Sequence, residues 1–408
     1  MKTVVVPLGP FHPLLEEAEY FKLYVEGETV VDIDMRVGYM HRGIEKLSES
    51  KTFDQVPFLV ERICGICSTS HPIAYVNAVE DLLGLELPER ARYIRTIIAE
   101  LERIHSHLLW MGLAGHFIGY DTVFMWVWRY REPVLDLFEV ISGNRNHYAM
   151  MKVGGVRRDI EEDDYPQILA TLDEVKGATE MLIGAVMDDP LIHARTKGVG
   201  VLTREDAIAY GTLGPTVRGS DIPDDVRRDA PYAAYDLVEW KVCTYEGGDV
   251  FAKTAVRLLE VVEAVNIIKR CIDQMRPGPI EVDVQNICAG EGIGHAEAPR
   301  GEVFHYVRSD GSSRPVRHKV RAPSLMNIPS FKATCIGEKV ADAALITAAV
   351  DPCYCCTERT AAVEKGKEGE IITGAQLVEM SRQKSARIRN DLGQVPPVEK
   401  LVQRLMKQ

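Results

Sequence analysis

Apolar and polar positions alternate along FKLYVEGETVVDIDM, residues 21–35, about a Glu26-Gly27 turn, and this period of two predicts a β-hairpin. From Pro88 the period changes. Ile94, Ile97, Ile98, Leu101, Ile104 and Leu108 fall on one face of a helix, followed by Gly112 and Gly115. Val123, Trp126, Val127, Tyr130, Val134, Leu137, Phe138 and Ile141 repeat that spacing over a second long helix, which Pro133 is expected to kink or break in two. Similar apolar stripes predict helices around 165–185 and 250–275. Residues 214–248, rich in proline, aspartate and aromatics, read as an ordered irregular segment, and 280–320 as short strands and turns. No internal repeat interrupts the pattern. The expected class is α+β, a long-helix bundle core with small peripheral β-sheets. Beyond Asp351-Pro352, Thr373 and Gln376 have the spacing of a capping box that opens a basic helix through Leu392. That helix has a nearly all-polar outer face and reads as an appendage.

Composition narrows the class. The chain has 408 residues, 46% hydrophobic and 26% charged, which describes an ordinary globular protein of one large domain or two intimate ones. A net charge of −12 argues against nucleic acid as the main partner. There is no apolar run of about 18 residues, and the start, MKTVVVPLGPFHP, lacks the long apolar core of a signal peptide. The nine cysteines are an odd number and clustered, which suits thiols or metal ligands in a reducing compartment better than disulfides. Cys243, Cys271, Cys288 and Cys335 are read as buried small hydrophobes.

Chemistry concentrates in two pairs. ERICGICSTSH, residues 61–71, holds Cys64 and Cys67; DPCYCCTER, residues 351–359, holds Cys353 and Cys356 with Cys355 between them. A zinc ribbon places its two knuckles roughly 15–20 residues apart, far closer than these, and a thioredoxin-like site needs one pair only. Two distant pairs that meet in space make a four-thiolate site, soft enough to select nickel, iron, copper or zinc over magnesium or calcium. Arg62 and Arg359 flank the pairs, and Arg300 lies between Pro299 and Gly301 in EGIGHAEAPRGEVFHYVR, residues 291–308. The glycines of that stretch lack phosphate-loop spacing. His105 and His107 do not share a helix face and are left out of the ligand set.

At this point the residues resemble a known family. R-x-C-G-x-C-x-x-x-H with D-P-C-x-x-C-T-x-R is similar to the catalytic large subunit of nickel–iron hydrogenases. GPFHPLLEEAEYFKL, GYMHRGIEKL, ELERIHSHL, SGNRNHYAMMKVGGVRRDI and EAPRGEVFHYVR narrow this to the energy-converting, membrane-bound group-4 enzymes. Those large subunits are related to the quinone-site subunit of respiratory complex I, which lacks the four cysteines that this chain keeps. The resemblance runs to about Arg359. It implies a large-subunit-like catalytic domain over 1–359 and a C-terminal extension over 360–408.

The resemblance also implies roles. Cys64 and Cys353 would be terminal nickel ligands, and Cys67 and Cys356 would bridge nickel to an iron carrying carbon monoxide and cyanide. Arg300 would lie above the open metal position, Pro323 and Ser324 beside a cyanide, and His71 beside the iron. H2 would split heterolytically with Cys353 as first proton acceptor and a carboxylate as relay, Glu17 in preference to Glu16. Two adjacent glutamates are more commonly a solvated surface pair. Glu45 matches a magnesium-binding carboxylate, although the histidine that completes that site is replaced by Arg359. Implied partners are a small iron–sulfur subunit, ferredoxin indirectly, and integral-membrane ion-translocating subunits, with the chain at the cytoplasmic face of the cell membrane. The rival readings are a hydrogenase-like sulfur reductase subunit and a complex-I-like coupling subunit. In the family an endopeptidase commonly cuts three residues past the last cysteine, here at Arg359-Thr360.

Overall fold

The computed structural model describes residues 2–13, 15–284, 286–357 and 372–393. The chain divides into two units, 1–358 and 359–408, each described by itself. In the first unit, β1 (Val4–Leu8), β2 (Tyr20–Glu26) and β3 (Thr29–Arg36) form an antiparallel sheet, with the expected hairpin turning at Gly27, whose φ of 64 suits glycine. Leu23 and Ile33 are cross-strand partners, so one face of the hairpin is apolar and buried. The helices α1 (Ile44–Ser48), α2 (Val56–Glu61) and α3 (Ser70–Leu83) follow.

The core is carried by α4 (Glu89–Phe117), α5 (Asp121–Ser142), α6 (Tyr165–Asp188) and α7 (Val250–Gln274). The four long helices stand where the apolar stripes put them. Two details differ. Gly112 and Gly115 lie inside α4: a Cβ at either would meet Trp128 or Val123 of α5 at 3.1–3.3 Å, so they let the two helices approach. Pro133 does not divide α5, which runs unbroken with Val127, Val134, Leu137 and Phe138 buried on either side of it. A proline removes one helical hydrogen bond, and the buried flanking stripe outweighs that loss.

Residues 280–320 hold longer strands than expected. The ten-residue strands β4 (Ala289–Ala298) and β5 (Gly301–Asp310) form a hairpin, and β6 (Arg317–Arg321) completes an antiparallel sheet. The glycines obscured this strand because they serve a contact instead of the alternation. A Cβ at Gly292 would lie 2.0 Å from the Ala78 carbonyl oxygen, and one at Gly294 2.3 Å from that of Ala74, so β4 rests directly on the backbone of α3. Segment 214–248 is ordered and mostly irregular. Cys243, Cys271 and Cys335 are buried as expected, but Cys288 is exposed, because it stands just ahead of β4 on the outside of the sheet.

The last short helices of this unit are α8 (Pro323–Asn327) and α9 (Val340–Ala349). In the second unit, α10 (Gly374–Gly393) opens with the expected capping box. The Thr373 amide donates to Gln376 Oε1 at 2.8 Å, and the Gln376 amide to Thr373 Oγ1 at 3.4 Å. Arg359 and the Arg359-Thr360 bond lie outside the described residues. No helix among the described residues is long and apolar enough to cross a membrane.

Candidate metal centre

The first cysteine pair occupies the turn between α2 and α3. There the Ile66 and Cys67 amides donate to Cys64 Sγ at 3.3 and 3.4 Å. Arg42, from the GYMHRG stretch, pins this turn by donating to the Arg62 and Ile63 carbonyls at 2.6 and 2.7 Å. Glu102 on α4 holds the start of α3 by accepting from the Thr69 amide and from the Ser70 amide at 3.0 Å. Neither residue was singled out in the sequence, although both lie in motifs that were. The second pair follows α9. Asp351 adopts φ 56, an unusual conformation for a residue with a side chain, and a single helical turn over Tyr354–Cys356 brings the Cys356 amide to the Cys353 carbonyl at 3.1 Å.

These two distant segments meet. Cys64 Sγ lies 2.8 Å from Cys353 Sγ, and Cys353 Sγ lies 3.1 Å from Cys356 Sγ and 3.5 Å from Cys355 Sγ. The sulfurs of Cys64, Cys353, Cys355 and Cys356 all lie within 4.8 Å of one another, and all four residues are buried. Among the described residues this is the only cluster of three or more His, Cys, Asp or Glu side chains gathered so closely. Cys67 is outside that tightest set, but it too is buried, and its amide donates to Cys64 Sγ. Cys355, which had no role in the spacing argument, is thus inside the cluster and buried, with no exposed thiol to oxidise.

Five thiols so close cannot all ionise. Cys64 is drawn well down because its neighbours, Cys353 first, donate to its sulfur. Cys67, Cys353 and Cys356 are pushed well up, chiefly by hydrogen bonds within the cluster. A cation is required for more than one thiolate to persist here, and soft sulfur donors suit nickel, iron or zinc. The donor set therefore fits a thiolate-bound metal group.

Arg300 is the cation that faces the cluster. It sits in the two-residue turn joining β4 and β5, where its carbonyl presses on Gly214: a Cβ there would meet the Arg300 oxygen at 2.4 Å. Its guanidinium is buried. Nε donates to the Asp351 carbonyl at 2.6 Å, Nη1 to Ser106 Oγ at 3.0 Å, and Nη2 to Asp351 Oδ1. Asp351, the acid of the D-P-C motif, thus ties Arg300 to the second cysteine pair. Arg62 does not add its charge to the sulfurs, because Glu61 and the Phe58 carbonyl take up its guanidinium at 2.8 and 2.9 Å.

Of the two N-terminal glutamates, Glu16 is exposed and Glu17 half-buried, yet both reach the cluster. Glu17 Oε2 accepts from the Cys355 amide at 2.6 Å, and Glu16 Oε2 lies 3.9 Å from Arg300 Nη2. Burial first and Asp351 second push the Glu16 carboxyl up to about 8, against the pull of Arg300; water reaching the 27% of its side chain still exposed opposes that rise. Burial and then Cys64 raise Glu17 as well, while the Cys355 amide lowers it. Ser324 Oγ, behind Pro323 at the first turn of α8, accepts from the Cys353 amide at 2.9 Å. His71 Nε2 lies 3.4 Å from Cys356 Sγ.

Glu45 stands apart from this cluster. Its carboxylate takes the Lys319 ammonium at 3.1 Å and the Val320 amide at 3.0 Å, and it belongs to no close group of three or more His, Cys, Asp or Glu side chains among the described residues. His105 and His107 are core residues. Arg131 Nη2 lies 3.0 Å from His105 Nδ1, and Glu260 Oε2 lies 2.8 Å from His107 Nε2.

Known proteins are similar to this chain. The family described as respiratory-chain NADH dehydrogenase, 49 Kd subunit, matches residues 118–289 and 283–359, and the family described as nickel-dependent hydrogenase matches 42–114. The membrane-bound hydrogenase subunit alpha of Pyrococcus furiosus is 41% identical over 402 residues, covering 94% of this chain and 94% of its own length. The carbon monoxide-induced hydrogenase of Rhodospirillum rubrum is 39% identical over 361 residues, covering 88% of this chain and all of its own length. A solved structure of a membrane-bound sulfane sulfur reductase, an archaeal respiratory membrane complex, superposes with a TM-score of 0.83 at 30% identity, over 88% of this chain and 98% of its own. The chain belongs to the family that unites group-4 hydrogenase large subunits with the 49 kDa subunit of respiratory complex I.

Proposed function

We propose that this chain is the nickel–iron catalytic subunit of a membrane-associated, energy-converting hydrogenase that reversibly reduces protons to H2. One observation carries the reading: two cysteine pairs far apart in sequence converge, buried, beneath Arg300 and beside two carboxyls held above their ordinary range. A redox-silent structural site has no use for those carboxyls. Cys64, Cys67, Cys353 and Cys356 would hold a nickel–iron group with carbon monoxide and cyanide on its iron, Cys64 and Cys353 as nickel thiolates and Cys67 and Cys356 as thiolates shared with the iron. When bound, that centre supplies the heterolytic making and breaking of H2.

The remaining steps belong to the chain itself. Arg300, fixed by Asp351 and Ser106, keeps a positive charge over the sulfurs and excludes other cations. The Cys353 sulfur takes the proton, because a terminal thiolate keeps more basicity than a shared one. Glu17 carries that proton outward, with Glu16 beyond it beside Arg300. Pro323 and Ser324 would line the cyanide position, and Ser324 fixes the Cys353 backbone. His71 steadies Cys356 beside the iron. Glu45 is the one candidate for magnesium, and binding would require Lys319 to leave it.

Electrons come from reduced ferredoxin through a small iron–sulfur subunit, since the clustered cysteines are used at the centre. Integral-membrane subunits convert the redox energy into ion translocation, and the chain sits at the cytoplasmic face of the cell membrane. The named relatives, a membrane-bound hydrogenase and a respiratory membrane complex, support the association with a membrane complex. Residues 360–408 are a maturation peptide released at Arg359-Thr360. An active, nickel-loaded subunit of full-length mass would instead make them a permanent docking tail.

The likeness to the sulfane sulfur reductase favours one second reading, a subunit that reduces sulfur compounds. Anaerobically purified complex given reduced ferredoxin separates the two. H2 evolution without added sulfur supports the hydrogenase; reduction of polysulfide without any H2 overturns it.

A further inference from the structure

Lys253 and Arg257 stand one turn apart on α7, both 0% exposed, and among the described residues neither forms an ion pair. The Lys253 ammonium donates to the Gly200 carbonyl at 3.1 Å. Arg257 Nη1 donates to the Lys253 carbonyl at 3.0 Å and Nη2 to the Ala349 carbonyl at 2.9 Å, while Nε has no hydrogen-bond partner. The acids of the same helix are taken elsewhere. Asp249 caps α7 by accepting from the Ala252 and Gly198 amides at 2.8 Å, and Glu260 accepts from Arg218 Nε and faces His107 Nε2, each at 2.8 Å. A buried cation without a counter-charge is costly, so its place in the core calls for a reason.

Two electron-rich groups receive the Arg257 guanidinium without cancelling its charge. It lies 4.1 Å from the centroid of the Trp110 ring, and it meets the end of α9, where Trp110 Nε1 also donates to the Ala348 carbonyl at 2.7 Å. Burial brings the guanidinium down to about 10, with Asp351 opposing that fall and Arg300 adding to it, so it stays a cation at neutral pH. Asp351 is already held by Arg300, through its carbonyl and its Oδ1. Glu16 approaches Arg300 no closer than 3.9 Å, and Glu17 is turned to the Cys355 amide. Two guanidinium groups therefore share Asp351, which stands two residues before Cys353, and positive charge is in excess there.

That excess has a use beside bound thiolates. Four thiolates together with cyanide outnumber the charges of two divalent ions, so the metal group assigned to the cluster is itself an anion. We propose that Arg257 is a positioning residue for that group: acting through Asp351 and the end of α9, it supplies positive charge that stabilises the anionic centre at the second cysteine pair. Trp110 covers the guanidinium and fixes the carbonyls it meets. The inference rests on the reading that the clustered thiols bind the metal group. Arg300 and Arg257 then divide the work. Arg300 is fixed by three hydrogen bonds and acts by its geometry, whereas Arg257 touches no sulfur ligand and acts by its charge.

The test reads charge instead of turnover. Infrared spectra of the anaerobically purified complex are compared with those of its Arg257→Gln and Arg257→Lys variants, normalised to nickel content. Loss of a nearby positive charge pushes electron density from iron into bound carbon monoxide and lowers its stretching frequency. The expected result is a lower carbon monoxide frequency in Arg257→Gln and the parental frequency in Arg257→Lys, which keeps the charge. A residue that only packed the core would change how many centres load and leave the bands of the loaded ones in place. The parental frequency in Arg257→Gln, at any nickel content, would therefore overturn the proposal. If Arg257→Gln holds no centre, Arg257→Lys decides: a loaded centre at the parental frequency supports the proposal, and a lowered frequency or an empty site overturns it. A parent complex without any carbon monoxide band would overturn the metal-site reading instead.

Discussion

Replacing Arg300 with lysine keeps the charge and removes the geometry. The guanidinium holds three partners at once: the Asp351 carbonyl at 2.6 Å, Ser106 Oγ at 3.0 Å and Asp351 Oδ1. A single ammonium remakes one Asp351 contact and forfeits two hydrogen bonds from a charged donor, each worth about 1.5–3 kcal/mol. Asp351 Oδ2 already has no hydrogen-bond partner, so the loss falls on a buried acid with nothing in reserve. Asp351 stands two residues before Cys353, and freeing it loosens the ligand it positions. A loss of about 3 kcal/mol at the reacting position corresponds to roughly a hundredfold drop in rate. The assay is H2/D+ exchange on Arg300→Lys protein, normalised to nickel content. Parental exchange at full nickel occupancy would refute the reasoning and leave Arg300 a structural ion-pair residue.

The serine variants of Cys64, Cys67, Cys353 and Cys356 should each abolish nickel retention by elemental analysis, whereas Cys355→Ser should keep it, because a hydroxyl does not replace a soft anionic ligand at neutral pH. Since the tightest sulfur set includes Cys355 and omits Cys67, the reverse outcome for that pair would reassign one ligand. Glu17→Gln should leave the infrared spectrum of the centre intact and block H2/D+ exchange; a block in Glu16→Gln alone would move the relay by one residue. Burial pulls His105 down to about 3. The unfolded chain takes up a proton there below about pH 6.5 and the folded one does not, so this contribution is lost as pH falls through that window. Chemical unfolding of His105→Gln should show a stability slope shallower by about 1.4 kcal/mol per pH unit between about 6.5 and 3. An unchanged slope would mean that the ring is already protonated in the fold.

The long helices were legible because each buries one stripe, and the period of the stripe survives in the sequence. The β4–β5 hairpin was not: Gly292 and Gly294 are chosen for contact with α3, and they erase the alternation that marks a strand. The cysteine pairs were legible as chemistry by their spacing, but the flanking Arg62 turns to Glu61, and spacing could not say that Cys355 lies inside the cluster. Asp351 was visible within D-P-C, yet only the fold shows that it clamps Arg300. The bearing of Arg257 on the second pair was hidden altogether, since Trp110, Arg257 and Ala349 share no spacing and meet only through the packing of α4, α7 and α9.

The central claim is that the clustered thiols hold nickel and iron together. Elemental analysis and infrared spectroscopy of the same anaerobically purified complex test it most directly. The account predicts nickel and iron in equal amounts on this subunit, with stretching bands of metal-bound carbon monoxide and cyanide that vanish in Cys356→Ser. Zinc alone at full occupancy, with no such bands, would contradict it.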